Sequence, residues 1–337
     1  MSLCFKTVDL FCGIGGMRLG FERACSRLGF DHQCVFSSDI NKNACKVYRH
    51  RFGNYPDPFC DITKVDETRL SDCDVLLAGF PCQAFSYAGA QKGFEDTRGT
   101  LFFDVARILK HKQPKAFILE NVRGLVSHDK GKTLKTIIQA LYRIGYDNVS
   151  YGLLNSKDFG VPQNRPRVYI VGFRNDISTA EFQFPVGLNS NMRIGDILQT
   201  SPPEEREYIS KKYWNTLVRH KLHHQSKGQG FGYEIKRLDD IANTIMCGGM
   251  GRERNLLIDS SDRILPEWVN DQRVRTMTPV EWERLQGFHD GWTEIAPHTA
   301  RMTLLGNSVT VNVIESISLR VIRTIMEPSK YVDKGDK

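Results

Sequence analysis

Over its first 175 residues the chain alternates short runs typical of β-strands with longer stretches whose apolar residues recur every three or four positions. Strands are predicted at 7–11, 33–37, 74–80, 116–119, 148–154 and 167–173. Helices are predicted between them, at about 17–28, 41–51, 101–111 and 132–144. Because parallel strands are joined by right-handed crossovers, this alternation predicts an α/β fold with a doubly wound, mostly parallel sheet.

The alternation stops at about residue 180, and glycines and prolines then punctuate the chain to about 275, for example at 201–203 and 247–251. Helical periodicity returns at 279–286 and 308–325. We therefore predict an α/β domain over 1–180, a smaller loop-rich domain over 181–272, a return to the first domain over 273–327 and a frayed tail over 328–337.

Composition excludes several classes of protein. With 40% hydrophobic and 25% charged residues among 337, the chain is not disordered, collagen-like or a coiled coil as a whole. No run reaches the roughly 18 apolar residues that cross a membrane, and the first residues lack the pattern of a secretory signal. We expect a cytoplasmic protein without a membrane partner.

The cysteines and the charge are less specific. The nine cysteines are odd in number and lack both Cys-x-x-Cys pairs and zinc-like Cys/His spacings, so we expect reduced thiols and no bound metal. The net charge of +7 permits an anionic partner without requiring one. Positive charge is densest over 211–237, which holds seven Lys and Arg against the single acid Glu234, and taken alone this segment is best explained as a solvated face.

Candidate functional residues follow the ends of the predicted strands. Gly13, Gly15 and Gly16 follow the first strand, where glycines either let the backbone approach a ligand or simply form a tight turn. Asp39 follows the second strand, where α/β folds often bind ribose hydroxyls. An adenosine-containing cofactor and a structural turn remain equally good explanations at this point.

Three later strand ends carry reactive residue types. Cys82 follows a Gly79-Phe80-Pro81 turn and is either an exposed thiol or one more buried cysteine. Glu120 leaves an apolar strand and is either functional or the point where that strand meets solvent. Arg165 and Arg167 are two positions apart, which in a β-strand directs both to one face, and their alternative is a surface pair.

The motifs in their order resemble those of the DNA (cytosine-5)-methyltransferases, in particular the single-chain bacterial enzymes of restriction–modification systems. They are Asp-Leu-Phe-Cys-Gly-Ile-Gly-Gly at 9–16, Gly-Phe-Pro-Cys-Gln-Ala-Phe-Ser at 79–86, Glu-Asn-Val at 120–122, Gln-Asn-Arg-Pro-Arg at 163–167 and Gly-Asn-Ser-Val at 306–309. The resemblance covers about 7–175 and 273–325. It implies that the first domain binds S-adenosylmethionine, releases S-adenosylhomocysteine and needs no metal, and that the loop-rich domain recognises the target.

The resemblance also implies roles for four catalytic residues. The Cys82 thiolate adds to C6 of cytosine and makes C5 nucleophilic toward the sulfonium methyl group. Glu120, as a protonated carboxyl group in an apolar site, hydrogen-bonds N3. Arg167 contacts the base O2, and Arg165 is the neighbouring arginine of the same motif. The base that removes the C5 proton is not identified by any motif.

Twelve residues match the cofactor-binding positions of that family. They are Phe11, Ile14, Gly15, Gly16, Asp39, Ile40, Asp61, Ile62, Pro81, Leu101, Asn307 and Ser308. The resemblance implies that Phe11 stacks on the adenine, Asp39 accepts from the ribose hydroxyls and Asp61 reaches the adenine amino group. Ile40 stands where some members have tryptophan, and Arg51-Phe52 replaces a frequent Asn-Phe, a difference to which we attach no predicted consequence.

The implied partner is duplex DNA with a short, often palindromic, cytosine-containing site, bound by a monomer. A cytosine in a duplex must be flipped out before a thiol can reach C6. In the family the loop that follows the nucleophile, here 83–99, closes on the DNA, and the basic segment then becomes more plausible as a phosphate-binding surface. The residues predicted to contact DNA are Gln83, Ser86, Arg98, Lys211, Lys212, Gln229, Tyr233, Arg252 and Arg254.

Two other functions keep the same motifs. A related branch methylates transfer RNA and typically has Cys-Phe-Thr in the recognition segment, where this chain has Met246-Cys247-Gly248. Catalytically silent homologues generally lose the nucleophile, whereas Cys82, Glu120 and both arginines are present here. Both alternatives are therefore less favoured than DNA methylation.

Overall fold

The computed structural model describes residues 3–53, 57–81, 101–178, 182–188, 190–248 and 251–326. Contacts within the chain divide it into two compact units. The sheet unit comprises 1–155, 166–187 and 311–337, and the second unit comprises 156–165 and 188–310. This division differs from the predicted boundaries at 180 and 272, since 156–165 and 273–310 group with the second unit.

The strands within the described residues are β1 (Cys4–Leu10), β2 (Asp31–Ser38), β3 (Val75–Gly79), β4 (Ala116–Val122), β5 (Asn148–Asn155), β6 (Gln163–Asn164), β7 (Pro166–Phe173), β8 (Ala242–Asn243), β9 (Leu257–Ile258) and β10 (Val274–Arg275). The helices there are α1 (Gly16–Leu28), α2 (Lys42–Phe52), α3 (Leu101–Lys112), α4 (Lys132–Arg143), α5 (Lys211–Ser226), α6 (Pro279–Leu285), α7 (His298–Asn307) and α8 (Val311–Met326).

The predicted α/β fold with a mostly parallel sheet is confirmed. Six strands form one sheet in the order β2-β1-β3-β4-β7-β5, and only β7 runs antiparallel to its neighbours β4 and β5. The central strands are continuous apolar runs, as expected for strands covered on both faces. Gly20 of α1 allows a close helix contact, because an added Cβ there would lie 2.7 Å from Cβ of Ile314 in α8.

Two predicted boundaries are wrong for local reasons. The first strand ends at Leu10, since Phe11 has a left-handed φ of 53° that leaves the extended conformation. The last helix begins at Val311 instead of Ser308, because Ser308 is the extended residue that ends α7.

Helices α5 and α7 were not predicted. Over its 16 residues α5 buries only Trp214 and Leu217, too few apolar positions to form a clear stripe. In α7 the buried Met302, Leu304 and Leu305 fall close together instead of at helical spacing. Among the described residues, no helix combines the length and apolar character needed to span a membrane.

The start of the 273–310 segment is ordered by a buried ion pair. Arg275 donates to both carboxylate oxygens of Glu281, at 2.8 and 2.9 Å, and both side chains are almost fully buried. Thr278 begins α6 with a reciprocal cap, in which its hydroxyl accepts from the Glu281 amide and Glu281 accepts from the Thr278 amide. The segment joins the rest of the unit through β10, which pairs antiparallel with β9, and through the Thr276 amide, which donates to the Glu207 carbonyl at 2.8 Å.

Candidate active site

The glycine turn after β1 is built from left-handed residues. Phe11, Gly13 and Gly15 have φ values of 53°, 52° and 87°, and Gly15 is the N-cap residue that precedes α1. Gly15 is also required sterically, because an added Cβ would lie 2.2 Å from the Phe52 ring. The turn lies at the carboxyl edge of the sheet, where α/β folds bind ligands; Phe11 and Gly13 are half-buried there, and Gly15 and Gly16 are buried.

Asp39 joins this turn to the end of β2. Its two carboxylate oxygens accept hydrogen bonds from the backbone N–H groups of Gly13, at 2.9 Å, and Asn41, at 2.7 Å. Burial raises the pKa of Asp39 above its ordinary value, and these two hydrogen bonds oppose that rise. The carboxylate is thus held in one orientation with further acceptor capacity on each oxygen.

Apolar side chains are exposed beside Asp39. Ile40 is 70% exposed and Phe59 is 48% exposed. The 57–60 segment is held there because the Asp39 amide donates to the Pro58 carbonyl and the Cys60 amide donates to the Asp39 carbonyl, at 2.7 and 3.1 Å. An exposed apolar surface next to a carboxylate matches a ligand with an apolar ring and hydroxyl groups.

The remaining predicted cofactor residues of the sheet unit differ in accessibility. Asp61 caps a short turn, and its hydrogen bonds from the Thr63 amide and hydroxyl lower its pKa. Ile14 and Ile62 are buried as whole residues, so their contact with a cofactor stays a prediction. Pro81 is exposed and Leu101 is half-buried at the start of α3.

Glu120 and Arg167 are brought together by the antiparallel pairing of β4 and β7. Glu120 lies near the end of β4. Arg167 lies near the start of β7, where it pairs with Val122 of β4. The distance between Arg167 Nε and Glu120 Oε1 is 3.2 Å, and both side chains are largely shielded from solvent. A carboxyl group and a guanidinium group thus meet at the carboxyl edge of the sheet.

Asn121 is a site residue to which the sequence analysis assigned no role. Its buried side-chain amide donates to the Phe80 carbonyl at 2.8 Å and thereby fixes the end of the β3 segment. The sequence feature that could have indicated this role is the polar Asn121 near the end of the largely apolar strand β4. Cys82 lies outside the described residues, as do Gln83, Ser86 and Arg98.

Arg165 has a different environment from Arg167. It belongs to the second unit, is 3% exposed and lies between β6 and β7, where the strand is interrupted. Its guanidinium group donates to the backbone carbonyls of Ile245, Gly306 and Ser308, at 2.8, 3.0 and 2.6 Å. The two arginines therefore do not act together from one face. Arg165 holds three backbone carbonyls, a set of contacts that we call the clamp, and Arg167 forms a separate ion pair with Glu120.

The clamp holds the segment that contains Asn307 and Ser308. An added Cβ on Gly306 would lie 2.6 Å from the amide nitrogen of Cys247, so only glycine permits this approach. Gln163 supports the same region, since its side chain donates to the Leu285 carbonyl and accepts from the Ile245 amide. The motif at 163–167 by itself predicted no role for Gln163.

The residues predicted to contact DNA in the second unit fall into two groups. Lys211, Lys212, Gln229 and Arg254 are exposed. The other two are engaged in packing: the Tyr233 ring lies 4.7 Å from the Trp214 ring with the Lys221 ammonium group 4.4 Å above it, and Arg252 faces the buried Glu207 at 3.7 Å.

Comparisons with known proteins agree on one family. The family model described as C-5 cytosine-specific DNA methylase matches residues 5–323. The chain is 46% identical to the Type II methyltransferase M.HpaII of Haemophilus parainfluenzae, over 95% of this chain and 90% of that protein. It is 43% identical to the Type II methyltransferase M1.ScrFI of Lactococcus lactis subsp. cremoris, over 97% of this chain and 80% of that protein.

Solved structures show the same fold at lower identity. The Entamoeba histolytica methyltransferase EhMeth superposes with a TM-score of 0.71 at 19% identity, covering 96% of this chain and 98% of that one. The S. pombe Dnmt2 methyltransferase superposes with a TM-score of 0.71 at 22% identity, covering 95% of this chain and 99% of that one.

Proposed function

The chain belongs to the C-5 cytosine-specific DNA methylase family and is a DNA (cytosine-5)-methyltransferase, and from this premise we propose how its residues divide the reaction. It acts on a cytosine flipped out of a short site in duplex DNA. Because its relatives are named Type II methyltransferases, we assign it the modification step of a restriction–modification system. The ion pair between Glu120 and Arg167 is the observation that carries the proposed catalytic roles, because it brings an acid and a guanidinium group together at the carboxyl edge of the sheet.

In the proposed mechanism the cytosine ring is activated from three directions. The Cys82 thiolate forms a bond to C6. Glu120, which pairs with Arg167 in the unbound chain, takes up a proton when the base binds and in that form donates a hydrogen bond to N3 as electron density moves onto the ring. Arg167 binds O2, from a position that its contact with Glu120 supports. The C5 carbon then takes the methyl group, the C5 proton leaves to a base, and loss of the C6–sulfur bond restores the Cys82 thiolate.

The choice of Cys82 is supported by the state of the other cysteines. Burial raises the pKa of Cys12, Cys34 and Cys73, which makes these thiols poor nucleophiles. Cys247 is exposed and is therefore the best control for a specific role of Cys82.

Methyltransferases of this family use S-adenosylmethionine, which supplies an electrophilic methyl group when bound. The sheet unit fits such a ligand, because a turn of left-handed residues, the oriented Asp39 carboxylate and the exposed Ile40 and Phe59 share one edge. We propose that the turn backbone holds the methionine portion and that Asp39 accepts from the ribose hydroxyls. Phe11 stacks on the adenine, and Asp61 uses the oxygen not engaged by Thr63 for the adenine amino group.

The second unit is the proposed target-recognition domain. The exposed Lys211 and Lys212 bind phosphates, and Gln229 and Arg254 are open to base edges. Arg165 is a positioning residue, since its guanidinium group is occupied by three carbonyls, and it holds Asn307 and Ser308 for their proposed role at the cofactor.

Bisulfite sequencing tests the proposal directly. DNA is taken from a methylation-deficient bacterial host that expresses the wild-type chain, the Cys82→Ser variant or the Cys247→Ser control. We expect protected cytosines confined to one short sequence in the wild type and the control, and none in Cys82→Ser. Methylation by Cys82→Ser would contradict the assigned nucleophile, and no protected cytosine in any host would contradict the proposed DNA substrate.

A second experiment detects the covalent step. DNA containing 5-fluorocytosine should trap the wild-type protein as a stable adduct, because fluorine cannot leave C5 as a cation. Cys247→Ser should be trapped equally and Cys82→Ser should not. Tight DNA binding without an adduct in the wild type would indicate a catalytically silent homologue.

A further inference from the structure

Phe52, the last residue of α2, lies directly against the glycine turn. A Cβ placed on Gly15 would lie 2.2 Å from Cε2 and 2.8 Å from Cζ of its ring. The ring thus fills the space beside the Gly15 α-carbon and prevents the turn from moving toward α2. This contact gives Phe52 a consequence that the sequence pattern did not indicate.

Two side chains hold the ring of Phe52. The guanidinium carbon of Arg18 lies 4.1 Å from the ring centroid, in cation–π geometry, and the Tyr48 ring centroid lies 4.7 Å away. Arg18 belongs to α1, the helix for which Gly15 is the N-cap. Its Nε donates to Glu22 at 2.7 Å, which orients the guanidinium group over the ring.

Tyr48 connects this contact to the sheet. Its hydroxyl donates to Oδ2 of the buried Asp9 in β1 at 3.3 Å and receives Nη1 of Arg18 at 3.4 Å. We call Arg18, Tyr48 and Phe52 the brace. Its contacts join β1, α1 and α2, the three elements that surround the glycine turn.

We propose that the brace holds the Gly15–Gly16 turn in the conformation that binds S-adenosylmethionine, and that Arg18 and Phe52 are positioning residues for this ligand. The inference rests on the proposed function, which assigns the turn to the methionine portion. Binding a ligand to a turn that is already ordered costs less conformational entropy than ordering the turn during binding. A loosened turn therefore lowers the affinity for the ligand. The bound complex retains its chemical groups and therefore its rate of methyl transfer.

Substitutions that remove or retain the ring and the charge test the brace. Phe52→Leu and Arg18→Met should bind S-adenosylmethionine and S-adenosylhomocysteine about tenfold more weakly by isothermal titration calorimetry. Phe52→Tyr keeps the ring and Arg18→Lys keeps the cation, so each should recover most of the affinity. At saturating S-adenosylmethionine, kcat and the KM for DNA should stay within about twofold of the wild type.

Phe30→Leu is the matched control. Phe30 is also half-buried in the sheet unit, but it follows the C-terminal end of α1 and packs on Phe5 with a centroid distance of 5.5 Å. Its loss should leave affinity for S-adenosylhomocysteine unchanged.

Several outcomes would overturn the inference. Affinity within about twofold of the wild type in Phe52→Leu, an equal loss in Phe30→Leu, or a fall in kcat at unchanged affinity would each do so. Should Phe52→Leu fail to fold, the comparison of Arg18→Met with Arg18→Lys decides. A folded wild-type protein that binds no S-adenosylhomocysteine would instead contradict the proposed function, which keeps the two failures distinct.

Discussion

Replacing Asp9 by asparagine should change how the stability of the protein depends on pH. Asp9 is fully buried in β1, and its Oδ1 has no hydrogen-bond partner among the described residues. Burial raises its pKa to about 7, although Arg18 and the hydrogen bond from Tyr48 lower it. The unfolded chain has an aspartate pKa of about 3.9. The folded protein therefore binds more protons than the unfolded chain between these two values.

The sign and the size of the effect follow from this difference. Stability contributed by Asp9 is full below about pH 4 and is lost as pH rises through about 7. Three pKa units at 1.36 kcal/mol each amount to about 4 kcal/mol over the whole range, of which about 3 kcal/mol falls between pH 5 and 8. Asparagine has nearly the same shape and does not titrate in this range.

Urea denaturation of the wild type and Asp9→Asn at pH 5, 6, 7 and 8 measures this term. The free energy of unfolding of the wild type, relative to the variant, should fall by about 3 kcal/mol from pH 5 to pH 8. Asp31→Asn, at an exposed position of β2, controls for the loss of a carboxylate. A difference between wild type and Asp9→Asn that varies by less than about 1 kcal/mol over this range would refute the reasoning.

Three further predictions concern Glu120, the Arg165 clamp and the lysines at the start of α5. Glu120→Gln should lower kcat at least about 100-fold with little change in affinity for S-adenosylhomocysteine, and single-turnover kinetics that stay within about twofold of the wild type would contradict its role. Arg165→Ala leaves two buried carbonyls and one part-buried carbonyl without their charged donor and should destabilise the protein by about 3 kcal/mol or more, whereas a loss below about 1 kcal/mol in chemical denaturation would rule out the clamp. Lys212→Ala should weaken binding to all duplexes alike and reduce the slope of log K against log salt by about 0.9. Lys211→Ala should change the slope less, because Lys211 already faces Asp271 at 3.2 Å, and selective loss of binding to one sequence would place either lysine in base recognition instead.

The sheet was predictable because its central strands are buried on both faces. The apolar runs at Val75–Gly79 and at the start of Ala116–Val122 admit few other structures, and the motifs follow directly from the strand ends. Strand ends are less predictable, as Phe11 shows, because a left-handed residue other than glycine depends on the loop that surrounds it.

The parts of the site that were missed depend on contacts between residues far apart in the chain. Arg165 and Arg167 have the same side chain and lie two positions apart in one motif, yet one binds carbonyls 80 to 143 residues away and the other binds a carboxylate on the neighbouring strand. The role of Asn121 likewise depends on Phe80, 41 residues earlier. Sequence spacing along one segment contains no information about such partners.

The second unit consists of two separate stretches of chain, 156–165 and 188–310, and this has a consequence for engineering hybrid enzymes. A chimera that exchanged only 188–310 with a relative would leave Gln163 and Arg165 of one parent to hold Ile245 and Gly306 of the other. The short stretch 156–165 must therefore be exchanged together with 188–310. Cuts between 155 and 156, 165 and 166, 187 and 188, and 310 and 311 would exchange both stretches together. If the second unit has its proposed role, we expect the preference for a target sequence to be exchanged with them.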